Sequence, residues 1–114
     1  MDEMIKLIYK AIDDKKGKDI RIIDIAEVSS IADYFVIASG DNTRQVQAIV
    51  DNITEVLGRA GYNYKSMEGY ESATWVLLDY YDVIIHVFNN EDRRFYDLER
   101  IWRDGKTKTI EDFK

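Results

Sequence analysis

Apolar residues recur through the first segment, Asp2 to Lys16, at Met4, Ile5, Ile8, Ala11 and Ile12. This spacing predicts an amphipathic helix with acidic residues in its first turn, Lys15 and Lys16 at its end and Gly17 beyond. Ile20 to Ile25 is rich in β-branched residues and reads as a strand. Asp33 to Ser39 holds the unbroken run Tyr34, Phe35, Val36, Ile37, Ala38, the pattern of a central strand buried on both faces. A second helix follows, with Asn42 as its cap, Gln45 three residues on, and a stripe of Val46, Ile49, Ile53, Val56, Leu57 and Ala60 that Gly61 ends. Asn63 to Glu68 reads as a short strand. Thr74 to Asp79 and Asp82 to Phe88 read as a hairpin across Tyr80 and Tyr81, although Tyr81 is an awkward residue where a tight turn needs positive φ. A last helix is expected from about Glu91 to Arg103, capped by Asn90, with Phe95, Leu98, Ile101 and Trp102 inward. The expected order is α-β-β-α-β-β-β-α: an α/β (α+β mixed) fold with a mixed sheet of about five strands flanked by helices, and residues 106–114 as a partly ordered tail.

Length and composition sharpen this to one domain over residues 1–114. A chain of 114 residues that is 46 % apolar builds one core, and without internal repeat or proline it has no sign of a linker. The lack of cysteine excludes disulfides and Cys-based zinc sites and suits a cytoplasmic location. Asp2, Glu3 and Lys6 interrupt the first apolar residues, unlike a signal peptide, and no apolar run is long enough for a bilayer, so no membrane association is expected. A net charge of −6 opposes binding built on phosphate neutralisation and suits a basic protein partner. The same balance also serves solubility alone, and charge does not choose between the two.

Enzymatic chemistry finds few candidates. His86 is the sole histidine, which excludes a multi-histidine zinc site, and alternation puts it on one strand face with Asp82, Ile84 and Phe88. No strand offers two carboxylates at i and i+2, as metal-dependent phosphoryl or nucleotidyl transfer would want; Asp79 and Asp82 flank a turn, and Asp24 and Glu27 straddle a strand end. Ser39 and Gly40 before a helix offer backbone N–H groups to an anion, but neither glycine-rich phosphate motif is present. The residues thus point to no enzyme, no cofactor and no metal.

Aromatic density is the feature that stands out. Tyr62, Tyr64, Tyr70, Trp75, Tyr80 and Tyr81 crowd one stretch, and large aromatic side chains of this kind are over-represented at binding surfaces. Alternation puts Trp75, Leu77 and Asp79 on one face of their strand and Val76 and Leu78 on the other. Both faces carry apolar residues, so either helices cover both sides of the sheet or one side is left for a partner.

Over Ile20 to Trp102 the chain resembles the ribosomal silencing factor family, also called RsfS, YbeB or Iojap-like. The resemblance rests on Ser30-Ile31-Ala32-Asp33-Tyr34-Phe35-Val36-Ile37-Ala38-Ser39-Gly40, on Arg44-Gln45-Val46 and on Glu68-Gly69. It rests further on Trp75-Val76-Leu77-Leu78-Asp79, on Asp82-Val83-Ile84-Ile85-His86-Val87-Phe88, and on Arg93-Arg94-Phe95-Tyr96, Leu98-Glu99 and Ile101-Trp102. It implies a nucleotidyltransferase-like fold without the catalytic carboxylates. It also implies a translational repressor that binds the large ribosomal subunit through its protein number fourteen and sterically blocks joining of the small subunit under nutrient limitation, with a link to large-subunit biogenesis. Carried over to this chain, the partner-binding residues are Trp75, Leu77, Asp79, Tyr80 and His86. The resemblance leaves room for a minor ribosomal RNA contact and for a homodimer in the free state. Two departures fall near this site: Tyr81, where the family usually has glycine before the aspartate, and Ser72-Ala73-Thr74, in place of a frequent glycine two residues before the tryptophan. The alternative reading is a nucleotide-binding or nucleotidyl-transfer enzyme with a degenerate site at the Ser39-Gly40 loop.

Overall fold

The computed structural model describes residues 2–90 and 104–114. Helix α1 spans Asp2–Asp14 and α2 spans Thr43–Arg59; the strands are β1 Lys18–Asp24, β2 Tyr34–Gly40, β3 Ser66–Glu68, β4 Trp75–Asp79, β5 Val83–Asn89 and β6 Lys106–Lys108. They form one mixed sheet in the order β3-β4-β5-β2-β1-β6. The central pair, β2 and β5, is parallel, with Tyr34 opposite Val83 and Gly40 opposite Asn89, and every other pairing is antiparallel. Parallel neighbours cannot be joined by a tight turn, and the path from β2 to β5 runs through α2, β3 and β4.

Strand alternation sorts the core into two layers. Ile22, Val36, Ala38, Val76, Leu78, Val83, Ile85 and Val87 meet the inner stripes of α1 (Met4, Ile5, Ile8, Ala11, Ile12) and α2 (Val46, Ile49, Val50, Ile53, Leu57). The other face gathers Ile23, Ile25, Ala32, Ile37, Ile84 and Phe88, with Phe35, Trp75 and Leu77 partly buried against them. Among the described residues both helices therefore pack on the same face of the sheet. The helix expected over 91–103 lies outside the described residues.

The helix ends follow from backbone hydrogen-bond needs. At α2, Asn42 Oδ1 accepts from the Gln45 N–H at 2.8 Å, and Gln45 Oε1 accepts from the Asp41 N–H at 2.6 Å. The same glutamine donates from Nε2 to the carbonyls of Lys15 and Lys16, at 3.1 and 3.0 Å, so one side chain serves the start of α2 and the end of α1. Both helices close in the same way. After α2 the Tyr62 N–H reaches back to Leu57 O and Gly61 to Gly58 O, with Gly61 at φ +93; after α1 the Gly17 N–H reaches Ile12 O and Lys16 reaches Asp13 O, with Lys16 itself at φ 61. Gly17 is needed for a different reason than ending the helix, since a Cβ there would run into Ile12 Cγ2.

The sheet has six strands where about five were expected, and the difference comes from residues 106–114. Instead of a partly ordered tail, Lys106–Lys108 pairs antiparallel with β1, and a short 3-10 helix at Ile110–Phe113 follows. Phe113 is buried, its ring edge-on to Tyr34 at 5.6 Å between centroids. Two lysines on a three-residue edge strand also discourage pairing with another chain. Phe113→Ala should lower the unfolding free energy by about 3 kcal/mol in denaturant titration; a change under about 0.5 kcal/mol, the size of an ordinary surface substitution, would show that the segment does not share the core.

Candidate functional site

Strand β4 carries the candidate residues, and its two neighbouring loops set its place. Gly69, between β3 and β4, lies at φ +83, and a methyl group there would strike the Trp75 carbonyl oxygen, so only glycine lets the loop pass this close to the strand. Ala73 follows at φ 53 with its N–H on Gly69 O at 2.9 Å. At the far end the hairpin forms as expected, and Tyr81 takes φ 72. The Asp82 N–H closes a three-residue turn onto Tyr80 O at 2.9 Å, and Asp79 Oδ1 accepts from the Tyr81 N–H at 2.8 Å. Ala73 and Tyr81 both take the left-handed backbone that glycine adopts most readily.

Register places Trp75 opposite Phe88 and Leu77 opposite His86 on one face. The Trp75 indole stacks on Phe88 with centroids 5.2 Å apart and planes at 25°. Its Nε1–H donates to His86 Nδ1 at 3.0 Å. Phe35 lies edge-on to the imidazole at 4.8 Å, and the His86 and Phe88 rings are nearly coplanar, at 7° and 6.3 Å between centroids. Trp75, Leu77 and Asp79 are partly exposed.

Two of the five expected contact residues, Tyr80 and His86, are buried. Tyr80 is one position out of phase with Trp75, Leu77 and Asp79, so its ring turns to the helix side, where it is 3 % exposed within the core layer of α1 and α2. Burial, with a smaller contribution from Tyr64, pushes its hydroxyl up to about 12. His86 is on the right face but only 4 % exposed, beneath the indole, and cannot itself form a docking surface. The structure thus brings Trp75 and Leu77 together with Asp79 at the strand end, sets His86 behind them and separates Tyr80. Phe35 and Phe88, which complete the aromatic cluster, were missed as site residues; the parallel register of β2 and β5 is what brings Phe35 to the imidazole.

An indole N–H can only donate, so His86 Nδ1 must be unprotonated and the ring neutral with its proton on Nε2. Among the described residues that Nε2 has no hydrogen-bond partner. Leaving a buried donor unmet costs about 1–3 kcal/mol, and desolvation lowers the imidazole to about 4 from its ordinary 6.5. The ring therefore stays neutral in the folded chain while the unfolded chain takes up a proton below about pH 6.5. Stability should fall as pH drops from 6.5 to 4, by about 3 kcal/mol from this residue. Denaturant titrations across that range will show the slope, and His86→Phe should remove its share.

No chemistry of bond making is laid out around this ring. Among the described residues no group of three or more His, Asp or Glu side chains is placed to hold a metal ion. At the Ser39-Gly40 loop the N–H groups of Asp41 and Gln45 are taken by Gln45 and Asn42 of the chain itself. Gly40 serves packing: a Cβ there would stand 3.1 Å from both Val46 Cγ2 and the Val46 nitrogen. Gly69→Ala should destabilise the fold by about 2 kcal/mol or more through the Trp75 carbonyl, read as a lowered denaturation midpoint; an unchanged midpoint would refute the tight approach.

The family profile described as "Ribosomal silencing factor during starvation" matches residues 1–114. The protein named ribosomal silencing factor RsfS of Halalkalibacterium halodurans is 40% identical over 109 residues, which is 96% of this chain and 93% of that one. Its namesake in Bacillus subtilis is 42% identical over 102 residues, covering 90% of this chain and 86% of the other. A crystal structure of a Bacillus halodurans protein superposes with a TM-score of 0.85 at 37% identity, over 96% of this chain and 99% of that one. The aromatic sheet face thus belongs to a scaffold shared along nearly its whole length with these relatives, and the chain is a member of the ribosomal silencing factor family.

Proposed function

We propose that this chain represses translation by docking the Trp75 face of its sheet on the large ribosomal subunit, on protein number fourteen, where it stands in the way of the small subunit. Family membership makes it a ribosomal silencing factor and not an enzyme. The finer reading, with its cytoplasmic setting and its use when nutrients are short, comes from the family resemblance. The observation that supports it best is the pose of Trp75: a large aromatic ring, partly exposed, clamped by Phe88 and His86 at one end of a short strand. A rigid aromatic anchor of this kind gives contact area with little freedom left to lose. Leu77 extends the apolar patch along β4, and Asp79 ends it with a carboxylate suited to a basic surface.

Steric repression needs no catalytic group. It needs occupancy of a shared surface, so its strength follows affinity and concentration. Trp75→Ala should weaken binding to isolated large subunits by about 2 kcal/mol, roughly 30-fold, seen as loss of co-sedimentation in sucrose gradients, while the unfolding midpoint shows that the fold persists. In the same gradients the unmodified chain should keep added small subunits from joining. Equal co-sedimentation of the two forms, or undisturbed joining, would refute the reading.

A further inference from the structure

We propose that His86 is a positioning residue: its Nδ1 holds the Trp75 indole in the pose that meets the ribosomal partner. The inference rests on the reading of Trp75 as the docking anchor and adds how that anchor is kept in place.

The slot occupied by His86 is an aromatic one. Phe35 lies edge-on to it at 4.8 Å, Phe88 is nearly coplanar with it, and Ile37 and Leu77 are its cross-strand neighbours. Phenylalanine would suit such surroundings and would leave no buried N–H unmet. Histidine brings into a nearly dry layer an Nε2–H that has no partner among the described residues. What it supplies in exchange is one acceptor, and that acceptor takes the Trp75 Nε1–H at 3.0 Å. With Phe88 stacked on the indole and His86 fixing its N–H, the ring is constrained both in tilt and in rotation about its own normal.

The indole N–H is thereby used inside the chain and is not offered to a partner. Trp75 should dock through its ring surface, in van der Waals contact, and the partner groups opposite it need not include an acceptor for that proton. An anchor already held in its bound rotamer loses less freedom on docking, so the histidine acts on affinity without touching the partner.

The experiment compares the full chain with its His86→Phe and His86→Asn forms, asparagine restoring an acceptor on a shorter side chain. In nitrogen–proton correlation spectra of the unmodified chain, the Trp75 indole N–H should exchange slowly with water and the His86 ring should carry its proton on Nε2. His86→Phe should keep or raise the unfolding midpoint, speed indole exchange, and weaken large-subunit binding by roughly three- to tenfold. His86→Asn should recover part of both losses. Rapid indole exchange in the unmodified chain overturns the proposal even if a variant fails to fold, and so does His86→Phe with unchanged affinity. If instead Trp75→Ala binds large subunits normally, the docking reading itself falls, while the spectra still report whether the indole is locked.

Discussion

Strands β2 and β5 run side by side in parallel at the middle of the sheet, and both must be dry on both faces. That constraint organises the molecule. It demands apolar side chains at successive positions, supplied by Val36, Ile37 and Ala38 on one strand and by Val83 to Phe88 around His86 on the other. It also demands a connection long enough to return in the same direction, which brings α2 over the sheet beside α1. With both described helices on one side, Phe35, Trp75 and Phe88 assemble on the other.

Part of the cost of this arrangement falls around one strand. β4 is entered through Gly69 and Ala73 and left through Tyr81, all three in left-handed backbone, and it lies against a histidine with a donor unmet among the described residues. A non-glycine residue in that backbone region costs roughly 1–2 kcal/mol, and two of the three are not glycine. Unfavourable local choices of this kind cluster where a fold serves a task beyond stability. Two of them, Ala73 and Tyr81, flank the strand of Trp75, and two more, Lys16 and Asp19, lie where α1 passes into β1, whereas α2, with Asn42, Gln45 and Gly61 at its ends, follows local preference closely.

Much of this was legible in the chain. Helical spacing located α1 and α2, the apolar runs located β2, β4 and β5, and Asn42, Gln45 and Gly61 took the roles their types predict. Tyr81, an awkward residue for a tight turn, does take the positive φ that such a turn needs. What escaped has physical reasons. Lys106, Thr107 and Lys108 have no apolar residue to mark a strand, and their pairing with β1 depends on a partner more than eighty residues away in sequence. Tyr80 stands beside Trp75 in the set carried over from the family resemblance, while alternation through Val76 and Leu78 sends it to the helix side. The bond between Trp75 and His86 depends on the register of β4 against β5, which the residue types of the two strands do not themselves specify.

Gln45 leaves one more mark on the molecule. Its amide oxygen quiets the start of one helix while its amide nitrogen quiets the end of the other. Fraying at the start of α2 would therefore also strip the Lys15 and Lys16 carbonyls of their partner, so the end of α1 depends on the order of a residue thirty positions further on. The two helices behind the sheet are thus joined at their ends by one side chain as well as along their apolar stripes.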